Sequence, residues 1–200
     1  IGVMLNVRSQ NTLADLIPHA SSLDPEMAHD VIVRHVSGID VLLGPGDVQF
    51  AQGIRAQDLY NVMIALQRLY DLVVIDAGSS LSENTVTLMD AAERILMVAN
   101  PEMASLQDAS RFINISRSLA YPNDKVLTIL NRAGMVGGVR SQDITKALHQ
   151  EIYAEIPDDE PNALRSLNRG IPLILKYPRS PASRGITKLA KSLAVMANPG

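Results

Sequence analysis

Short apolar runs that alternate with amphipathic stretches are the feature that most constrains the fold of this 200-residue chain. Between the runs, apolar residues recur at helical spacing. Strands that alternate with helices of this length form right-handed crossovers and a mostly parallel sheet. The sequence therefore predicts one α/β domain over residues 1–200, with helices on both faces of the sheet. The predicted strands are Ile39–Leu43, Leu72–Ile75, Ile95–Val98, Val126–Leu130 and Ile152–Ile156.

Leu72–Ile75 is the clearest candidate for a buried strand, because three of its four residues are β-branched. Asp24-Pro25-Glu26 has the order of cap, proline and early acid that begins a helix. The turn 44–47 is predicted to close the first strand. Further helices are predicted around Leu59–Leu69, around Phe112–Leu119 and over Ser183–Met196.

Composition excludes several classes of function. The formal charge is −3, which gives no electrostatic argument for nucleic-acid binding. Cysteine is absent, so disulfides, thiolate metal sites and cysteine nucleophiles are excluded. No stretch approaches the roughly 20 apolar residues that a membrane span needs. The sequence predicts a globular protein with an aliphatic core.

In an open parallel sheet, ligands bind outside the carboxyl ends of the strands, so the residues after each strand are the candidates. Asp76 follows Leu72–Ile75, and its carboxylate could hold Mg²⁺ through water. Gly78 would let a backbone N–H approach a terminal phosphate. The alternative is that Asp76 only caps the next helix.

Asn131 and Arg132 follow another predicted strand. An asparagine amide carries a donor and an acceptor and can pair with an adenine edge, while arginine can stack on a base. The alternative for Asn131 is a turn residue. The glycines at 134, 137 and 138 lack the Lys and Ser/Thr of a phosphate loop and indicate a flexible loop.

Pro157 ends the last predicted strand and could flank a base, whereas Asp158 and Asp159 are expected to cap a helix that begins near Pro161.

These segments, in this order, resemble the ParA/MinD family of deviant Walker A P-loop ATPases over nearly the whole chain. Tyr70–Asp76 resembles the family's Walker B strand, and Val126–Arg132 resembles its strand ending in Asn-Arg. Ile156–Asp159, followed by Asn168–Leu173, resembles its closing signature. Ser37–Leu42 and Asn168–Leu173 look closest to the CpaE/TadZ-like pilus-assembly branch.

The resemblance implies a role for each matching residue. The cofactors implied are ATP or ADP with Mg²⁺. Asp76 would bind Mg²⁺ through water, and Gly78 would lie in the switch that senses the terminal phosphate. Asn131 would read adenine, helped by Arg132 and by the backbone around Pro157 and Asp158.

The resemblance also implies a cytoplasmic homodimer that positions pilus or secretion assembly proteins, at a cell pole or peripheral to the inner membrane. A receiver-like domain is expected ahead of it in the same polypeptide, and no specific nucleic acid is expected.

One family element does not occur in these residues. The Walker A run Lys-Gly-Gly-x-Gly-Lys-Thr and the strand before it would precede Ile1, so we interpret the chain as a piece of a longer protein. No catalytic residue is assigned, because both Walker A lysines are absent. ATPase activity is expected of the longer protein if that loop precedes Ile1, and residues 1–200 alone should bind ATP weakly.

Two alternatives on the same fold stay open: a non-catalytic localisation scaffold and a chromosome or plasmid partition ATPase. A membrane-seeking C-terminal helix is a further possibility for the amphipathic stretch around Lys188, Leu189 and Leu193. A helix that faces the core explains that stretch better.

Overall fold

A computed structural model describes residues 1–46 and 53–197. The chain divides into two compact units, Ile1–Ala92 and Glu93–Gly200, which are described separately. The expectation of a single domain over 1–200 stays a prediction. Within the described ranges, no helix combines the length and apolarity that crossing a bilayer requires.

The first unit is mainly helical. A buried cluster of Leu16, Val62, Met63 and Leu66 forms its core, because Val62, Met63 and Leu66 recur on one face of a helix. The Asp24 carboxylate accepts a hydrogen bond from the Met27 N–H at 2.8 Å, which confirms the predicted helix start. The helices are α1 Gly2–Leu5, α2 Leu13–Leu16, a 3₁₀ turn Ile17–His19, α3 Pro25–Val31, α4 Ala56–Leu69 and α5 Glu83–Ala91.

The first predicted strand is much shorter than expected and is not part of a parallel sheet. Strand β1 (Val33–Arg34) pairs antiparallel with β2 (Asp40–Val41). The connection between them is too short for a parallel crossover, which needs a dozen or more residues, so only a hairpin can form. Asp47, in the predicted turn 44–47, lies outside the described residues.

The prediction of a buried strand at Leu72–Ile75 is wrong for this structure. No strand is assigned there, and the side chains of Leu72 and Val74 are 65% and 76% exposed. Val73 packs against the core of the first unit, so only one side of the segment is covered. A strand needs a neighbour for its backbone groups, and no described segment forms a ladder with residues 72–75.

The second unit confirms the parallel α/β architecture. Strands β3 (Ile95–Ala99), β4 (Val126–Ala133) and β5 (Ile152–Pro157) form a parallel sheet in the order β3-β4-β5. Val126–Leu130 is buried throughout, as expected of a central strand covered on both faces. The helices are α6 Met103–Ser118, α7 Ser141–Leu148, α8 Glu160–Leu167, α9 Leu173–Lys176 and α10 Pro181–Ala197.

Helices cover both faces of this sheet. On one face, Leu106 and Ile113 of α6 and Ile144 of α7 pack on Met97 and Leu130. On the other face, α10 packs on β4 and β5, with Ala182 buried against Ile129 and Ile156. Leu189 of α10 also contacts this second cluster, which confirms the expectation that the closing helix faces the core.

Candidate functional site

The carboxyl ends of three parallel strands meet at one edge of the sheet in the second unit. Asn100 follows β3, Asn131 and Arg132 lie near the end of β4, and Pro157 is the last residue of β5. The structure therefore brings four of the sequence-predicted residues together: Asn131, Arg132, Pro157 and Asp158.

An asparagine pair links the ends of β3 and β4. The Asn131 side-chain NH₂ donates to the side-chain oxygen of Asn100 at 3.0 Å, and both residues are half-buried. The Asn100 backbone N–H donates to the Ser105 hydroxyl at 2.9 Å, which ties Asn100 to the first turn of α6. This bond uses one N–H of the Asn131 amide and leaves the second N–H and the side-chain carbonyl oxygen. These two groups are the donor and the acceptor that an adenine edge requires.

A bulge at the end of β4 sets the direction of the neighbouring side chain. Arg132 has a φ of 55°, in the left-handed region, and the register with β5 shifts between Leu130 and Ala133. A non-glycine residue in this region costs about 1–2 kcal/mol. A bulge changes the direction in which a side chain leaves the strand. The Arg132 side chain therefore does not follow the normal alternation of side chains along β4.

The Arg132 guanidinium joins the ends of β4 and β5. Its Nε lies 3.0 Å from Asp158 Oδ1, Nη2 bonds to the Glu160 carboxylate, and Nη1 lies 3.9 Å from Glu102 Oε1. The hydrogen bond to Asp158 raises the pKa of Arg132 above its usual value, and the charges of Glu160 and Glu102 add to the effect. The Asp158 N–H also donates to the Ala133 carbonyl at 2.9 Å. Arg132 is thus held by carboxylates, and stacking of its plane on a base stays a prediction.

The expectation that Asp158 and Asp159 cap the helix near Pro161 holds only for the position of Asp159. Asp158 bonds to Arg132 instead. Asp159 occupies the N-cap position of α8 but makes no side-chain cap bond, and its Oδ1 accepts a hydrogen bond from the Asn162 side-chain NH₂ at 2.8 Å.

The glycine-containing loop after β4 is tied by backbone hydrogen bonds, and its flexibility stays a prediction. The Met135 N–H donates to Arg132 O, and the Val139 N–H donates to Pro101 O at 2.9 Å. A Cβ at Gly138 would lie 3.1 Å from Pro101 Cγ and from the Met135 carbonyl oxygen. The absence of a Cβ at Gly138 therefore lets the turn pack closely against Pro101, the residue after Asn100.

Asp76 and Gly78 lie in the first unit. The Asp76 side chain is 59% exposed, its Oδ1 accepts from the Gly78 N–H at 3.4 Å, and its Oδ2 lies 3.8 Å from the α-amino nitrogen of Ile1. Gly78 has a φ of 70° with open space where a Cβ would stand, so the backbone conformation favours glycine there. The alternative of a helix cap is wrong, because Ser82 caps α5.

The candidate residues of the two units suit different chemical groups. Among the described residues, no three of the His, Asp and Glu side chains are grouped so that they could enclose a metal. A single exposed carboxylate suits Mg²⁺, which keeps its waters and takes its remaining ligands from phosphate oxygens. The half-buried Asn131 amide suits an adenine edge.

Sequence reasoning missed Asn100, Glu102 and Glu160 as site residues. Asn100 could have been found by the rule that located Asn131, since it follows an apolar run. The two glutamates carry no local signal, because only the fold brings them to Arg132.

No protein-family model matches the chain. Among curated proteins, an uncharacterized ATP-binding protein of Methanocaldococcus jannaschii is 29% identical over 167 residues, covering 82% of this chain and 61% of the relative. A septum site-determining protein MinD of Thermotoga maritima is 29% identical over 170 residues, covering 82% of this chain and 62% of that protein. The relatives of this chain are ATP-binding proteins of the ParA/MinD type. The chain spans less than two thirds of the length of these two relatives.

Solved structures of the same type share the fold. A ParA family ATPase from Chlorobium tepidum matches with a TM-score of 0.86 at 22% identity, over 94% of this chain and 78% of that one. MinD from Pyrococcus horikoshii, complexed with Mg-ADP, matches with a TM-score of 0.80 at 24% identity, over 98% of this chain and 79% of that one. The α/β fold with helices on both faces of a parallel sheet is therefore that of ParA/MinD P-loop structures.

Proposed function

We propose that the natural protein containing this chain binds Mg-ATP and acts as a nucleotide-switched positioning factor of the ParA/MinD type. Asn131 reads the adenine edge, the backbone at Pro157 and Asp158 flanks the base, and Arg132 holds that backbone in place. Asp76 binds Mg²⁺ through water, and the Gly78 N–H responds to the terminal phosphate. Binding of ATP brings two copies together, and hydrolysis by the longer protein, where it carries a Walker A loop, separates them.

The observation that carries the proposal is the Asn131–Asn100 pair at the carboxyl ends of β3 and β4. A half-buried amide held in one orientation at this edge has a donor and an acceptor for a base. The ATP-binding relatives and the Mg-ADP complex of a MinD with this fold support the same choice of ligand.

The metal role is tested by calorimetry on the full-length protein with a slowly hydrolysed ATP analogue, with and without Mg²⁺. We expect Asp76→Asn to reduce the magnesium-dependent affinity about tenfold or more, because outer-shell carboxylates contribute on that scale. Asp71→Asn is the matched control, since Asp71 is an exposed carboxylate in the same segment. Equal losses in both variants would contradict the role of Asp76.

The same titration separates the ATPase from the scaffold. A full-length protein that binds no ATP while keeping its fold would favour a non-catalytic localisation scaffold.

We further propose that the positioned machine is a pilus or secretion assembly. The support is the resemblance of Ser37–Leu42 and Asn168–Leu173 to the CpaE/TadZ-like branch. In the structure, Gly38 has a φ of 93° in the β1–β2 hairpin, and Gly170 has a φ of 59° between α8 and α9, so both segments contain a turn that requires glycine.

Surface pili counted by electron microscopy in a deletion strain, and in the strain complemented with Asp76→Asn, test this role. Normal piliation combined with a fluorescent fusion spread over the nucleoid would favour a partition ATPase instead.

A further inference from the structure

The backbone around Asn100 is fixed at the carboxyl end of β3. The Asn100 N–H donates to the Ser105 hydroxyl at 2.9 Å, which ties the residue to the first turn of α6. The next residue, Pro101, is fully buried, and its carbonyl accepts from the Val139 N–H at 2.9 Å. Packing and hydrogen bonds around Asn100 therefore set the place from which its side chain leaves the end of the strand.

The Asn100 side chain decides which way the Asn131 amide faces. Its oxygen accepts from the Asn131 side-chain NH₂ at 3.0 Å, and in the described part of the chain this is the one hydrogen bond of that amide. An amide can turn by half a turn with almost no change in shape, so only its partners fix the positions of nitrogen and oxygen. Because Asn100 offers an oxygen, the Asn131 nitrogen faces Asn100 and the Asn131 oxygen faces away from it.

The order of these two groups matters to a purine base. Adenine carries an amino donor at its C6 atom, whereas guanine and hypoxanthine carry an oxygen acceptor there. An amide that turns its oxygen to C6 accepts from the amino group of adenine and repels the oxygen of a 6-oxo purine. An amide in the reverse orientation would prefer the 6-oxo purines.

We propose that Asn100 is a positioning residue that selects the base, because it holds the Asn131 amide with its oxygen turned to the 6-amino group. Asn100 acts through Asn131 rather than by a base contact of its own. The inference rests on the proposed function, since it takes Asn131 as the residue that meets the base. It adds the determinant of the choice between 6-amino and 6-oxo purines.

The test compares ADP with IDP, the diphosphate of the hypoxanthine nucleoside, by calorimetry on the full-length protein with Mg²⁺. The two nucleotides have the same sugar and phosphates and differ only at C6 and the adjacent N1. Neither can lose a γ-phosphate during the titration. The ratio of their affinities therefore reports the base contact, and we expect the unchanged protein to prefer ADP by about tenfold or more.

Two substitutions of Asn100 separate its hydrogen bond from its bulk. Asn100→Leu removes the oxygen that accepts from Asn131 and nearly keeps the size of the side chain. The Asn131 amide can then take either orientation, so the preference for ADP should fall about tenfold, toward equal affinities. Asn100→Asp keeps an oxygen in the same place and should keep the preference. Its added charge acts on both nucleotides alike and cancels in the ratio.

Asn114→Leu is the matched control, because Asn114 is an exposed asparagine in the second half of α6. It should leave the ratio unchanged. Asn100→Ala removes the same oxygen as Asn100→Leu without adding an apolar side chain. It replaces the leucine variant where a circular-dichroism melt shows that the leucine variant does not fold.

Three results would overturn the inference. Equal affinities for ADP and IDP in the unchanged protein would show that no fixed amide orientation selects the base. An unchanged ratio in folded Asn100→Leu or Asn100→Ala would leave Asn100 with a structural role only. A ratio that falls as far in Asn100→Asp as in Asn100→Leu would mean that Asn131 accepts from Asn100, with the opposite polarity of the bond.

Asn131→Asp separates the failure of this inference from the failure of the proposed function. If Asn131→Asp changes the ratio while neither Asn100→Leu nor Asn100→Ala does, Asn131 meets the base and only the role of Asn100 fails. If the full-length protein binds neither nucleotide, the proposed function fails and the inference fails with it.

Discussion

Gly185 in α10 provides a stringent test of the packing behind the candidate site. A Cβ built at Gly185 lies 2.9 Å from Pro157 Cδ and 3.3 Å from the Glu155 carbonyl oxygen and the Ile156 Cα. Two of these atoms are backbone and the third belongs to a rigid ring. Gly185→Ala must therefore push α10 away from the end of β5.

The expected magnitude follows from two opposing effects. Replacing glycine by alanine inside a helix stabilises by about 0.5–1 kcal/mol. Overpacking against a fixed backbone costs about 1–3 kcal/mol. We expect a net loss of about 1 kcal/mol or more, which lowers Tm by about 2–4 °C for a chain of this size.

Urea and thermal unfolding of the purified chain measure this change. Ala190→Gly is the control, because Ala190 is exposed on the same helix and reports the helix-propensity difference alone. If Gly185→Ala stabilised the protein by the amount that Ala190→Gly destabilises it, the close approach of α10 to β5 would be refuted.

Two further predictions concern the first unit. The hydrogen bond from Arg34 at 2.7 Å lowers the pKa of Asp40 below 3.8, so the pair contributes stability above that pH and loses it as pH falls through the lowered pKa. Arg34→Gln should therefore lower the urea midpoint near neutral pH but not in strong acid, and an equal loss at every pH would contradict this. Asp24→Ala removes the cap of α3 and should cost about 1 kcal/mol, whereas Asp24→Ser should recover most of it; unfolding midpoints that do not separate the two variants would contradict the cap.

The sequence predicted the second unit well because each of its signals is local. Apolar runs such as Val126–Leu130 and the helical spacing around Phe112–Leu119 indicate strand and helix without long-range information. The edge where Asn131 and Pro157 meet follows from strand direction alone.

The failure at Leu72–Ile75 has a different origin. β-branched residues predict an extended backbone, but a strand also needs a partner for its N–H and C=O groups. The sequence of the segment does not contain that partner. The prediction of a parallel strand at Ile39–Leu43 failed for a related reason. The connection from β1 to β2 is short, and its length, not the apolar character of the residues, makes the pairing antiparallel.

The site was predicted by residue but not by contact. Asn131 and Arg132 were found from their position after a strand, yet their partners are distant in sequence. Glu102, Asp158 and Glu160 meet Arg132 only through the fold, and so the role of Arg132 in joining two strand ends could not be read from the sequence.

The most direct test of the central proposal is the ratio of ATP to GTP affinity in the full-length protein and its Asn131→Asp variant. An aspartate offers only acceptors, which suits the donor edge of guanine and not the adenine edge. We predict that the ratio falls about tenfold or more, in line with the discrimination of one bidentate base contact. An unchanged ratio in a folded variant that still binds ATP would contradict the assignment of Asn131 to the base.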